Sequence, residues 1–141
     1  MREIKFRAVK DDMSNCVFVY GQLIYDIEGN PRITNDGGKT FHTCIKRTEG
    51  QYTGLKDNNG KEIYEGDILK VWDDYVGNEF TFHSVVWGNE YPAFTLSPEV
   101  GAEYNELQHA CLVTTCEIIG NIHENPELLS NPINQQNKWA K

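Results

Sequence analysis

QYTGLKDNNGKEIYEGDILKV, residues 51–71, contains a complete β-hairpin and the sharp turn that follows it. Asp57-Asn58-Asn59-Gly60 gathers residues that tolerate positive φ or hydrogen-bond their own backbone, and it separates two short runs, 52–55 and 62–64. Glu65-Gly66-Asp67 interrupts the second run, because Gly takes turn conformations closed to β-branched neighbours. Asp67 is expected to accept backbone N–H groups two residues further on, before residues 68–72 resume as a strand.

Outward from this segment the chain alternates strand patterns and turns. Ile4, Phe6 and Ala8 alternate with Lys5 and Arg7, which predicts a strand with one buried face and both cations on the exposed one. Residues 16–20 are its expected partner, residues 23–27 follow, and Glu28-Gly29-Asn30-Pro31 is a turn by composition. A looser turn at residues 35–39 precedes 40–46, where Phe41, Thr43 and Ile45 oppose His42 and Cys44. Later, Phe80, Phe82, Ser84 and Val86 oppose Thr81, His83, Val85 and Trp87, and shorter strands are expected at 92–97 and 116–122. Strand signals at such short spacing favour a barrel or sandwich over βαβ units. One helix start is well marked, at Asn125-Pro126-Glu127, with Leu128 and Leu129 as its anchors. Residues 100–108 read as a second short helix weakened by Gly101 and Asn105, and the polar tail 134–141 is expected to fray.

Three blocks carry a family resemblance: MREIKFRAV at the start, the 51–71 segment, and IIGNIHENPELL, residues 118–129. Together and in this order they resemble the YopX family of phage and prophage proteins. One departure is the Val9-Lys10 pair, where members commonly carry Trp-Asp, so no aromatic role transfers to that position. The resemblance implies a mainly β fold with an SH3-like barrel in the later half, and assembly into homo-oligomers. It implies no reaction. With the helix start, it predicts a small-barrel architecture divided into a β lobe over 1–50, a barrel lobe over 51–130 with a short C-terminal helix, and a polar tail over 131–141.

At 141 residues the chain is long enough to bury a sizeable core, and its 39% hydrophobic and 24% charged content is ordinary for a globular protein. No apolar run approaches the roughly 18 residues that mark a membrane-spanning helix. The start alternates charged with apolar residues and has no signal-peptide core, so the expected compartment is the cytoplasm. Charge is unevenly placed. Residues 1–50 hold eight Lys/Arg against seven Asp/Glu, and residues 51–141 hold five against fourteen, within a net −8. A duplex-binding groove needs clustered cations to displace counterions, and between Glu62 and Glu127 Lys70 stands alone against thirteen acids. That argues against nucleic acid as a partner. The small basic group Arg2, Lys5, Arg7 and Lys10 is the one loophole. The acidity itself reads first as a solvated, solubilising surface, and second as a DNA-like surface for a host DNA-binding protein. Asp73-Asp74 and residues 99–106, with Glu99, Glu103 and Glu106, would be its contact acids.

Candidate chemistry is sparse. Four cysteines without Cys-x-x-Cys read as reduced thiols, the nearest pair being Cys111 and Cys116. His42-Thr43-Cys44 and His109-Ala110-Cys111 are both His-x-Cys; on strands each pair would face one side, and two pairs would complete a tetrahedral zinc site. The spacing matches no standard finger, and small buried thiols are the preferred explanation of the cysteines. Glu62, Glu65 and Asp67 crowd together but follow from strand alternation and a turn cap. Gly37-Gly38-Lys39-Thr40 echoes the end of a phosphate loop, yet the earlier glycine would fall at Ile33. His83 and His123 sit in strand patterns and read as structural. The expectation is therefore no catalytic, metal or cofactor residue, with a metal-dependent enzyme as the outside alternative.

Aromatic residues cluster in the later half. Trp72 and Trp87 read mainly as core, while Tyr75 and Tyr91, beside polar neighbours, read as surface. The preferred reading is a non-enzymatic phage accessory protein acting through homo-oligomerisation and contacts with a host or phage protein. An acidic inhibitor or DNA mimic is the alternative.

Overall fold

Alternating sequence becomes strand where one set of side chains finds a core, and most of this chain meets that condition. The computed structural model describes residues 3–12, 15–73, 79–88, 92–97 and 106–130. Within them are ten strands and two short helices. The chain divides into two compact units, Met1–Gly54 and Leu55–Lys141.

In the first unit β1 (Phe6–Val9), β2 (Phe18–Tyr25), β3 (Pro31–Thr34), β4 (His42–Thr43) and β5 (Gly50–Lys56) form an antiparallel sheet in the order β4-β3-β2-β1-β5. Ala8, Ile33 and Cys44 are its buried centre, packed by Phe6, Val19 and Leu23. Residues 16–20 and 23–27, expected as separate strands, are largely merged in β2, because Gly21 lets the strand run through. Gly21 has φ +153° opposite Phe6, and a Cβ there would collide with the Thr34 carbonyl oxygen. The 40–46 alternation yields only the two-residue β4, extended by a bridge between Lys10 and Cys44. Arg7 is not on an exposed face: it is 6% exposed, with its guanidinium carbon 4.2 Å from the Phe18 ring centre. A flat, weakly hydrated guanidinium stacks on an aromatic face where an ammonium would stay in water.

The second unit begins at Leu55, near the end of β5. It contains β6 (Glu62–Tyr64), β7 (Asp67–Asp73), β8 (Glu79–Trp87), β9 (Phe94–Ser97), α1 (Leu107–Val113), β10 (Thr115–Asn121) and α2 (Glu127–Ser130). Four strands make an antiparallel sheet in the order β10-β7-β8-β9. Leu69 and Val71 on β7, Val85 on β8, Leu96 on β9 and Cys116 on β10 project to one face, and Ile63, Leu107 and Ala110 pack on them. Burying each large aliphatic side chain contributes about 1.5–3 kcal/mol. The sheet is open among the described residues. Its end strands β10 and β9 are not neighbours, so the expected barrel is present as strands without closure. Two aromatic assignments change. Trp72 is only partly buried beside Phe80, and Trp87 is 50% exposed, edge-on to Phe94. Trp72 lies on the face opposite Leu69 and Val71, which strand alternation requires.

The helices correct one boundary and support another. α1 covers 107–113 rather than 100–108, of which 100–105 lie outside the described residues. Leu107 and Ala110, three apart on one helix face, are fully buried. α2 starts directly after Pro126, where the Asn-Pro signal places it, and Leu128 and Leu129 are half-buried. The 131–141 tail lies outside the described residues.

Candidate functional site

The 57–60 loop is both a turn and a clasp. The Asp57 N–H donates to the Lys61 carbonyl at 2.8 Å, and Asp57 Oδ1 accepts the N–H groups of Asn59 and Lys61, both at 2.9 Å. That much closes the hairpin. The remaining groups reach 58 to 61 residues along the chain. Asp57 Oδ2 accepts the Ile118 N–H at 3.0 Å, Asn58 Oδ1 accepts the Cys116 N–H at 2.6 Å, and the Asn58 N–H donates to the Cys116 carbonyl at 3.0 Å. β10 is the end strand of its sheet, with β7 on one side. The turn satisfies main-chain groups on the other side, which blunts an edge that would otherwise pair with another chain.

The second turn is held from both sides. Gly66 is buried at φ +94°; its N–H donates to the Val85 carbonyl at 2.8 Å, and its carbonyl accepts the Ile122 N–H at 2.9 Å. Asp67 is buried and accepts the Tyr64 N–H at 2.8 Å, so its carboxylate helps to close the turn. Asp67 is therefore structural, while Glu62 and Glu65 beside it are half-buried.

Each sheet leaves apolar surface outside its core. On β2 the exposed side chains include Tyr20 and Ile24, four apart on one strand face, and the strand ends in exposed Tyr25 beside fully exposed Ile27. Tyr25 donates to Glu49 Oε2 at 2.7 Å, and this bond with partial burial pushes the phenol pKa up to about 12. On the second sheet Lys70 Nζ lies 4.7 Å from the Trp72 ring centre and 4.2 Å from that of Phe80, with Phe82 next in the stack. Tyr75, Tyr91, Asp74, Glu99 and Glu103, expected at the surface, lie outside the described residues.

The proposed zinc geometry rests on two strands, and only one pair is near such a setting. Cys44 is buried and donates its thiol to the His42 carbonyl at 3.4 Å. His109 and Cys111 lie on α1, where residues two apart point in different directions; His109 is exposed and Cys111 packs on the core. Among the described residues no group of three or more His, Cys, Asp or Glu could hold a metal ion. The glycine-lysine-threonine loop is filled by its own acid. Asp36 Oδ1 accepts the N–H groups of Lys39 and Thr40 and the Thr34 hydroxyl, and Oδ2 accepts the Thr40 hydroxyl. These bonds hold the Asp36 carboxyl well below the usual carboxylate range. The donors that a phosphate would use are thus taken by a carboxylate. His83 is buried with its ring nitrogen against the Thr81 hydroxyl, a structural setting.

Sequence reasoning missed the clasp. The clasp's signal was the second polar residue, Asn58, beyond what a turn needs. Cys116 at the start of β10 is buried in the core of the second unit, and Cys111 in α1 packs against that core. Their spacing was visible, but the core that both pack into was not.

Two antiparallel sheets with a clasped hairpin and short helices define a mainly β protein. Its family is then given by comparison: the model of the YopX protein family matches residues 5–130, and the chain belongs to that family. Among solved structures it is similar to the crystal structure of protein EF1440 from Enterococcus faecalis. The TM-score is 0.53 at 25% identity, covering 92% of this chain and 99% of that one. No curated protein matches the chain.

Proposed function

We propose that this chain is a non-enzymatic phage or prophage accessory protein that works in the bacterial cytoplasm through homo-oligomerisation and protein–protein contacts. The supporting observation is the run of exposed apolar side chains on and beside β2, namely Tyr20, Ile24, Tyr25 and Ile27. Isolated exposed apolar residues are ordinary, but several on one strand and its turn form a surface suited to a protein partner. Light scattering on the intact chain tests this. The expected mass is a multiple of the single chain, and Ile24→Glu with Ile27→Glu should lower it. A monodisperse monomer at micromolar concentration rejects the reading.

A second reading, an acidic inhibitor of a host nucleic-acid-binding protein, is supported by the nine-charge excess of acids over bases in residues 51–141. A complex of that kind should be captured from host lysate at low salt and released steeply as ionic strength rises. Retention through high salt favours the apolar surface instead.

A further inference from the structure

The clasp contains the one Asn-Gly pair of the chain, Asn59-Gly60. Asn59 is exposed, and Gly60, at φ +81°, has open space where a Cβ would stand. In such a pair the glycine nitrogen can reach the asparagine side-chain amide carbon, because no side chain hinders its approach. Every other asparagine of the chain is followed by a residue with a side chain, and those before proline face a nitrogen without a proton. Asp36-Gly37 is the related acid pair. Its carboxylate is held by the Lys39 and Thr40 N–H groups and the Thr34 and Thr40 hydroxyls, and an ionised carboxylate resists attack.

We propose that Asn59 is a deamidation site whose conversion opens the clasp and uncovers the edge of β10. The Gly60 nitrogen gives its proton to solvent and attacks the Asn59 side-chain amide carbon, forming a C–N bond and a cyclic succinimide. The bond from that carbon to the side-chain nitrogen breaks, and the nitrogen leaves as ammonia with a proton from water. Water then adds to either ring carbonyl and breaks its bond to the ring nitrogen, which is reprotonated. The product is aspartate, or isoaspartate where the main chain now runs through the former side-chain carbon. One water enters, one ammonia leaves, and nothing is oxidised or reduced.

The closed loop restrains this reaction. The Gly60 N–H donates to the Asp57 carbonyl at 3.0 Å, and the Asn59 N–H donates to Asp57 Oδ1 at 2.9 Å. These bonds hold the attacking nitrogen and its proton inside the turn, so ring closure waits for local opening. Conversion then prevents reclosure. Isoaspartate adds a carbon to the main chain between 59 and 60. The bonds from the Asp57 N–H to the Lys61 carbonyl, 2.8 Å, and from the Lys61 N–H to Asp57 Oδ1, 2.9 Å, fit the shorter path. Either product also places a new carboxylate on a residue whose N–H sits on the Asp57 carboxylate, and like charges repel. Loss of the clasp frees the Cys116 and Ile118 N–H groups on the outer side of β10, an edge then open to another chain.

Ageing the intact chain at mildly alkaline pH, with peptide mapping and methyltransferase labelling of isoaspartate, tests both steps. Asn59 should convert several-fold faster than any other asparagine. Asn58→Ala, which loosens the loop, should convert several-fold faster again. The aged wild-type chain should lose amide-exchange protection at Cys116 and Ile118, whereas aged Asn59→Gln, whose longer side chain closes a less favoured ring, should keep it. The site is overturned if Asn59 stays intact while other asparagines convert. An unchanged rate in folded Asn58→Ala overturns the restraint, and full protection in the converted chain overturns the opening. The wild-type map and its exchange decide even if Asn58→Ala does not fold.

Discussion

Gly66 and Tyr25 show how much a single side chain, or its absence, decides here. Gly66 is buried at φ +94° with both its main-chain groups bonded to distant residues. Neither a β-branched side chain nor a shift of the turn is compatible with those bonds, so Gly66→Val should cost more than the ~1 kcal/mol of ordinary glycine effects. An unchanged melting temperature would remove this account of the turn. Tyr25 makes a pH prediction. Its phenol donates to Glu49, so the bond exists only in the protonated form. With the folded pKa raised from 10.0 to about 12, the contribution is complete below about pH 10 and is lost as the pH rises toward 12. Tyr25 is exposed, so the effect on stability is small, but the titration is measurable. Phenolate absorbance should lose a component titrating near pH 12 in Tyr25→Phe; an identical curve for that variant means the bond is absent.

At the scale of elements, the β5–β6 hairpin and β10 depend on each other through Asp57 and Asn58. Asn58→Ala leaves the Cys116 N–H without its acceptor, and Asp57→Ala also removes the acceptor of three further N–H groups. Each stranded buried donor costs about 1–3 kcal/mol. Asp57→Ala should therefore be the more damaging in urea denaturation, with faster amide exchange at Ile118. If the two variants unfold with the wild type, the clasp carries no stability. The strand patterns themselves were legible: β7, β8 and β10 each fall within two residues of their expected bounds. Their reach was not, since residues 16–20 and 23–27 merge through Gly21 and the 40–46 alternation shrinks to β4. Hydrophobic period states which residues share a face, whereas strand length depends on which neighbour offers a free edge.

For the whole molecule, the charge distribution bears on partners more directly than any motif does. The basic group near the start does not form a stripe: Arg7 is buried on Phe18, and Lys5 pairs with Glu3 at 3.2 Å and lies over Tyr52. Arg2 lies outside the described residues. A duplex DNA gel shift at physiological salt should accordingly be blank, and Lys5→Glu should leave it so. A salt-sensitive shift lost in that variant contradicts the prediction. Oligomeric mass, tested through Ile24 and Ile27, is the complementary whole-molecule measurement.

The sequence alone determined what depends on local chemistry: the hairpin and its turn residues, the two-residue period of the strands, the helix start at Asn125-Pro126, the uneven charge and the family. These follow from backbone preference and composition, which act over a few residues. Tertiary structure decided the rest. It buried Arg7 and left Trp87 half-exposed, because burial depends on the partner surface and not on hydropathy. It turned Asn58 from a loop residue into an acceptor for Cys116 and left the second sheet open. Each of those outcomes requires groups from separate elements to meet, and no local preference specifies that meeting.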